Sequence, residues 1–73
     1  MMTYRVLLSE ETEGGFTVSV PSLPGCITYG ENISEALAMA KEAIEGYIEV
    51  LKEQGLPVPD DSKTLEYSLT LAS

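Results

Sequence analysis

The 73-residue sequence contains no histidine, no tryptophan and one cysteine, Cys26. A lone cysteine cannot form a disulfide within the chain, and a sequence without histidine offers no Cys/His cluster for structural zinc. A domain of this size buries a small core, and natural domains of this size add disulfides, a metal or self-association. The composition therefore favours self-association, as a homo-oligomer, as the source of extra stability.

Basic residues are also scarce, since four Lys and Arg stand against twelve Asp and Glu, and the formal net charge is -8. Proteins that bind nucleic acid draw most of their affinity from Lys and Arg on phosphates, so we do not expect this chain alone to bind DNA or RNA. An acidic surface suits a basic protein partner and speeds their encounter. The same charge also keeps a domain in solution, so charge alone does not identify a partner.

Long apolar runs are missing as well. No stretch approaches the roughly 18 residues that span a bilayer, and the first five residues, MMTYR, lack the basic start and apolar stretch of a signal peptide. A single thiol fits a reducing compartment. We expect a cytoplasmic protein that does not contact a membrane.

Alternation of apolar and polar residues predicts four strands. Gly14 and Gly15 supply the positive φ angles of a hairpin turn between the first two. Two prolines and a glycine then make a stiff turn before the third strand. The predicted strands cover residues 3–9, 16–20, 26–29 and 64–71.

The remaining regular element is a long acidic helix from residue 33 to about residue 54. Asn32 and Glu35 have capping-box spacing, which predicts that Glu35 reaches back to the amide of Asn32. Gly55 supplies a left-handed stop. The core face predicted from helical spacing comprises Ile33, Leu37, Ala40, Ile44, Ile48 and Leu51.

The order strand, strand, strand, helix, strand predicts an α+β domain. A three-stranded antiparallel meander would carry the helix on one face, and a right-handed crossover would lay the fourth strand parallel to the first. The open face would carry Arg5, Thr17, Ser19, Glu66, Ser68 and Thr70. The apolar arc of the helix is wider than one sheet requires, because a second stripe lies beside the core face. Either a loop that folds over it or a partner chain would cover the surplus, and the small size of the domain favours a second copy of the chain. That stripe consists of Met39, Ala43, Gly46 and Val50.

Two kinds of catalytic site have to be considered for this fold: a carboxylate metal site and a nucleophile with its base. The same order begins the ribonuclease H fold, whose nucleases hold Mg²⁺ with carboxylates on the first strand, the helix and the fourth strand, but residues 3–9 contain no carboxylate. Cys26 and the serines have no histidine base to activate them. We therefore expect no catalytic, cofactor-binding or metal-binding residues and no enzyme activity. From its residues alone, the chain is an acidic α+β interaction domain.

Four motifs in the chain resemble the HicB family of antitoxins. They are GGFTV, VPSLPGC, GENISEAL and GLPVP, which begin at residues 14, 20, 30 and 55. They are similar to the family's glycine hairpin, proline turn, capped helix start and helix exit, and together they cover nearly the whole chain. Ser22 stands where the family usually has an acidic residue, so any role of that carboxylate does not carry over.

The resemblance implies a partial ribonuclease H-like HicB fold and a protein partner. That partner would be a small basic HicA toxin, which resembles double-stranded RNA-binding domains and cleaves mRNA, and binding would hide its active site or RNA-binding surface. Many family members also carry a C-terminal DNA-binding domain. Because this sequence stops at Ser73, we expect one HicB-like domain over residues 1–73 that does not repress transcription by itself.

Glu10, Glu11 and Glu13 on the predicted hairpin tip are the first candidates for partner contacts, followed by the helix carboxylates. The competing interpretation is that these are ordinary solvated turn residues. Two further functions stay open. One is a stand-alone HicB-like domain that associates with itself and binds another protein or ligand. The other, less in keeping with the residues, is a metal-dependent nuclease.

Overall fold

A computed structural model describes residues 1–72 and contains three strands and one helix. The strands are β1 (Leu7–Glu10), β2 (Phe16–Ser19) and β3 (Ile27–Gly30), and the helix is α1 (Ile33–Glu53). The strands form an antiparallel sheet in the order β1-β2-β3. The α+β class, the meander and the helix are confirmed, with strands shorter than the sequence pattern indicated.

The β1–β2 hairpin closes on its two glycines, as predicted. Gly14 and Gly15 have φ angles of 99° and 80°, which side chains with a Cβ rarely adopt. The Glu11 amide donates to the Gly15 carbonyl at 3.0 Å, and the Gly14 amide donates to the Glu11 carbonyl at 3.0 Å. The resulting register places Val18 opposite both Leu8 and Thr28.

The proline turn between β2 and β3 contributes to the core as well as linking the strands. The Leu23 amide donates to the Val20 carbonyl at 3.0 Å, and the Cys26 amide donates to the Leu23 carbonyl at 2.9 Å. These bonds fold Leu23 inward until it is fully buried. The Tyr47 hydroxyl donates to the Pro24 carbonyl at 2.7 Å and ties the turn to α1.

Both ends of α1 are capped, with one difference from the prediction. Asn32 Oδ1 accepts the Glu35 amide at 2.8 Å, but Glu35 Oε1 accepts the amide of Glu31 at 3.2 Å rather than that of Asn32. At the other end Gly55 has a φ of 67° and its amide donates to the Lys52 carbonyl at 3.1 Å. The helix therefore stops at a left-handed glycine, as expected.

The face that α1 turns to the sheet differs in part from the predicted one. Ile33 and Leu37 are 57% and 49% exposed, so their assignment to the core is wrong, whereas Ala36 and Ala40 are buried. Gly30 explains the change, because a Cβ there would collide with the backbone of Ala36. The missing side chain brings β3 against the start of α1, and only small helix residues fit between them. Ala40, Ile44 and Leu51 contact the core as predicted, in two clusters: Val18, Ala36 and Ala40; and Val20, Leu23 and Cys26.

The predicted fourth strand is not formed. Residues 64–72 adopt no regular structure, and the large side chains that were expected to face the core are 81% to 89% exposed. These side chains are Leu65, Tyr67, Leu69 and Leu71.

Asp61 explains why residues 64–72 do not join the sheet. Its amide donates to the Thr3 carbonyl at 2.7 Å, as the first bond of a parallel ladder would. The next ladder bond would join the Arg5 amide to a backbone carbonyl, but that amide donates instead to Asp61 Oδ2 at 2.8 Å. The Thr64 amide then folds back onto the Asp61 carbonyl at 2.9 Å. The carboxylate thus ends the ladder after one bond, and Asp61 Oδ1 also accepts the Ser22 hydroxyl.

The close approach of β3 to α1 generates a prediction about two glycines. Gly30→Ala should destabilise the domain by about 1–3 kcal/mol, because the backbone of Ala36 has to move away. Gly46→Ala is the matched control, since its Cβ would meet open space in the middle of α1 and should stabilise the domain by about 0.5–1 kcal/mol. Urea unfolding measures both changes. Equal effects of the two substitutions would contradict the packing argument.

The stability of the domain should depend on pH through Asp61. The Arg5 amide and then the Ser22 hydroxyl bond the charged form of Asp61 and lower the pKa of its carboxyl below the ordinary value of 3.8, although burial opposes the shift. A carboxyl with a lowered folded pKa stabilises the fold above its unfolded pKa and loses that contribution as pH falls through the folded pKa. Asp61→Asn should therefore lower the melting temperature at pH 7 by several degrees, and the difference from wild type should shrink at pH 3.

The matched control for this pH series is Asp60→Asn, because within residues 1–72 the Asp60 carboxylate accepts hydrogen bonds from Ser62 alone. Circular dichroism melts at both pH values give the two differences. If Asp61→Asn lowers the melting temperature equally at pH 7 and at pH 3, the charge of Asp61 does not provide the stabilisation.

Candidate functional site

A shallow acidic groove lies where the β1–β2 hairpin meets the end of β3. It encloses about 420 Å³ and is lined by three carboxylate residues, Glu11, Glu13 and Glu31, together with Thr12, Gly14 and Tyr29. We refer to these six residues as the acidic groove. Its walls come from two separate parts of the sequence, which the antiparallel pairing of β2 with β3 brings together.

Specific contacts hold the groove in shape. The Tyr29 hydroxyl donates to the Gly14 carbonyl at 3.2 Å, and its ring occupies the space that a Cβ at Gly15 would need. Glu11 Oε2 accepts the Thr17 hydroxyl at 2.7 Å. The hairpin tip is therefore fixed both to β2 and to β3, although its residues are exposed.

The groove concentrates negative charge. Partial desolvation and then the carboxylates of Glu31, Glu11 and Glu35 raise the pKa of Tyr29 above its ordinary value. These carboxylates therefore lie near enough to Tyr29 to disfavour a negative charge on its hydroxyl. Such a cluster around an exposed aromatic ring offers both Coulomb attraction and a ring face to a Lys or Arg side chain.

Only two of the three predicted contact residues share this site. Glu11 and Glu13 line it, whereas Glu10, the last residue of β1, pairs with Phe16 of β2. Glu10 therefore lies on the face of Phe16, opposite the face on which Thr17 donates to Glu11. The sequence analysis missed Glu31 and Tyr29. The signal that could have found them is the register of the meander, which places Tyr29 across from Thr17.

The predicted self-association stripe is divided between core and surface. Ala43 packs against the cluster of Val20, Leu23 and Cys26, whereas Met39 and Val50 are exposed. Ala43, Gly46 and Val50 line an open groove of about 640 Å³ between β3 and the C-terminal half of α1, which we call the β3 groove. Most of its lining is apolar.

Cys26 sits in the core, as the sequence indicated for a small buried apolar residue. Burial raises the pKa of its thiol, and a protonated thiol is a poor nucleophile. Across residues 1–72, no three His, Cys, Asp or Glu side chains come together in a way that could hold a metal ion. Within the same range, no helix is both long enough and apolar enough to cross a bilayer.

Comparison with known proteins identifies relatives of two lengths. A UPF0150 protein of Thermoplasma acidophilum is 44% identical over 61 residues, which cover 84% of this chain and 88% of that protein. The antitoxin HicB of Escherichia coli K12 is 36% identical over 78 aligned positions, covering 99% of this chain and 56% of that protein. The antitoxin HicB 1 of Photorhabdus laumondii is 37% identical over 76 positions, covering 99% and 49%. The chain thus spans about half the length of the two named antitoxins.

The family described as the HicB-like antitoxin of bacterial toxin–antitoxin systems matches residues 4–71, which include all three strands, α1 and most of the C-terminal segment. The match and the relatives agree with the four sequence motifs. The chain belongs to the HicB-like antitoxin family.

Proposed function

We propose that this chain is an antitoxin that binds a small basic HicA-type mRNA interferase toxin and blocks its active site or its RNA-binding surface. Family membership supports the antitoxin role, and the E. coli and Photorhabdus relatives carry the name antitoxin HicB. Family membership does not identify the toxin or the surface that binds it. These two parts of the proposal rest on the surface of the chain itself.

The acidic groove is the observation that carries the proposal. A protein that binds RNA has to present Lys and Arg to phosphates. A rigid surface with Glu11, Glu13 and Glu31 around the ring of Tyr29 offers those side chains negative charge and an aromatic face, as a nucleic acid offers phosphates and bases. The antitoxin would therefore compete with RNA for the same basic surface of the toxin.

This inhibition requires no covalent step. The chain needs only to occupy the toxin surface, so neutralisation would be stoichiometric and reversible. The net charge of -8 would speed the encounter with a basic toxin, and that attraction would weaken as salt screens it.

Neutralising the acidic groove tests this docking surface. Glu11→Gln/Glu13→Gln/Glu31→Gln keeps side-chain size and hydrogen-bonding oxygens, including the acceptor for Thr17, but removes three charges. We expect toxin affinity at low salt to fall at least tenfold and its salt dependence to become shallower. Titration calorimetry at several salt concentrations, with the small basic protein encoded beside this chain's gene, gives both quantities.

The matched control is Glu45→Gln/Glu49→Gln/Glu53→Gln, which removes the same charge from exposed positions in the C-terminal half of α1. It should weaken binding much less than the groove variant. Equal losses in both variants would mean that overall charge, and not the acidic groove, attracts the toxin. Unchanged affinity in the groove variant would remove this surface from the proposal.

If the partner is the nuclease and this chain its inhibitor, RNA cleavage should depend on which protein is present. The purified chain with Mg²⁺ should leave an RNA substrate intact, the partner alone should cleave it, and an equimolar amount of the chain should suppress that cleavage. Gel analysis of the RNA distinguishes the three cases. Metal-dependent cleavage by the chain alone would support the nuclease alternative, for which β1–β3 and α1 would serve as the first part of a ribonuclease H-like fold.

A second candidate function is a self-associating HicB-like domain with another protein or ligand as partner. The observation that favours it is the exposed apolar surface of α1, where Met39 and Val50 face solvent beside the β3 groove. Lack of a neighbouring gene for a small basic protein, together with failure to co-purify a toxin, would favour this candidate over the antitoxin.

A further inference from the structure

The C-terminal segment, residues 64–72, has the pattern of a strand but no neighbour. Four large apolar side chains alternate with Glu66, Ser68 and Thr70, and each of the four is 81% to 89% exposed. Alternation of this kind belongs to a strand with one buried face. We call this segment the arm, and its apolar side chains are Leu65, Tyr67, Leu69 and Leu71.

The arm extends away from the rest of the molecule. The radius of gyration is 13.9 Å, whereas a compact domain of this length has about 11 Å. The bonds of Asp61 to Thr3, to the Arg5 amide and to the Ser22 hydroxyl anchor the base of the arm. Within the arm itself, Glu66 Oε1 contacts Arg5 Nη1 at 3.4 Å. Because the Asp61 carboxylate accepts the Arg5 amide, the arm of the same copy does not continue a parallel ladder from Thr3 toward β1.

The outer edge of β1 lacks a strand. Among residues 1–72, β1 pairs with β2 alone. Beside this edge, under the flank of α1, lies an open groove of about 270 Å³ that we call the β1 groove. Its apolar lining consists of Met2, Tyr4, Val6, Leu37, Ala40 and Ile44, and one residue of each charge, Lys41 and Glu45, completes it.

We propose that the arm of a second copy of this chain pairs with the outer edge of β1 and inserts its apolar side chains into the β1 groove, in a reciprocal exchange between two copies. Each copy has one unpaired arm and one open β1 edge, so a two-fold symmetric exchange satisfies both. A second copy supplies both complementary features at once.

Charge and area both fit a second copy. Two chains of charge -8 repel each other, but within the arm only Glu66 is acidic, and Arg5 lies against it. A Leu or Tyr side chain buries on the order of 150–200 Å². The eight apolar side chains of two arms would remove roughly 1,200–1,600 Å² from water, which is the range of a stable interface.

Sedimentation velocity of the purified chain, without any toxin, tests the exchange. Wild type should sediment as a dimer at micromolar concentration, and Tyr67→Ser/Leu69→Ser should weaken dimerisation at least 100-fold. These side chains are exposed in the single copy, so the variant keeps its fold, which circular dichroism verifies. Ser68→Asn/Thr70→Asn alters the polar side of the same arm and should remain dimeric. A monomeric wild type, or a variant as dimeric as wild type, would overturn the proposal.

A mixed-label NMR sample separates exchange from closure within one chain. Equal amounts of ¹³C-labelled and unlabelled protein are unfolded together and refolded, and isotope-filtered spectra then report contacts between chains. Contacts of Tyr67 and Leu69 with Val6 and Leu37 should appear between chains. The same contacts found only within a chain, or a dimer that instead joins through Val50, would contradict the proposal. Since no toxin is present, none of these outcomes bears on the acidic groove.

Discussion

The contact of Ala36 and Ala40 with Val18 sets the height of α1 above the sheet. Gly30 makes this contact possible, because any side chain there would push β3 off the helix. A helix about 10 Å wide that packs on β3 and β2 cannot cover a three-stranded sheet from edge to edge. The β1 groove and the β3 groove lie on the two flanks of α1, so the available interaction surfaces follow from one close packing contact.

The distribution of charge separates the surfaces by chemistry. Carboxylates crowd around Tyr29 at the hairpin end, whereas the arm and the β1 groove carry few charges. The repulsion of twelve acidic residues is therefore lowest where apolar side chains need a neighbour and highest where a basic partner would dock. Asp61 is the exception, because three hydrogen-bond donors around its buried carboxylate compensate for the loss of water.

Features governed by neighbouring residues were predictable from the sequence. The glycines of the hairpin, the Asn32 cap and the Gly55 stop depend on local backbone geometry, and all three are present. The helix face was predicted only in part, because Ile33 and Leu37 follow the same spacing as the true core residues and only the missing side chain of Gly30 decides between them. The acidic groove was half predicted for a related reason, since Tyr29 and Glu31 reach the hairpin through strand register and not through proximity in the sequence.

The sequence pattern of the arm predicts burial of one side but not the surface that buries it. Alternation in residues 64–71 indicates that one side of the segment is to be buried, but it does not say whether the covering surface belongs to the same chain. The Asp61 carboxylate favours a surface on another copy, because it occupies the amide that closure within one chain would use. Exchange through β1 would leave β3 at the far edge of the sheet, so Tyr29 and Glu31 would stay accessible in both copies. A dimer of this kind would present two acidic grooves, and a partner that reached both would gain affinity through effective concentration without any new contact.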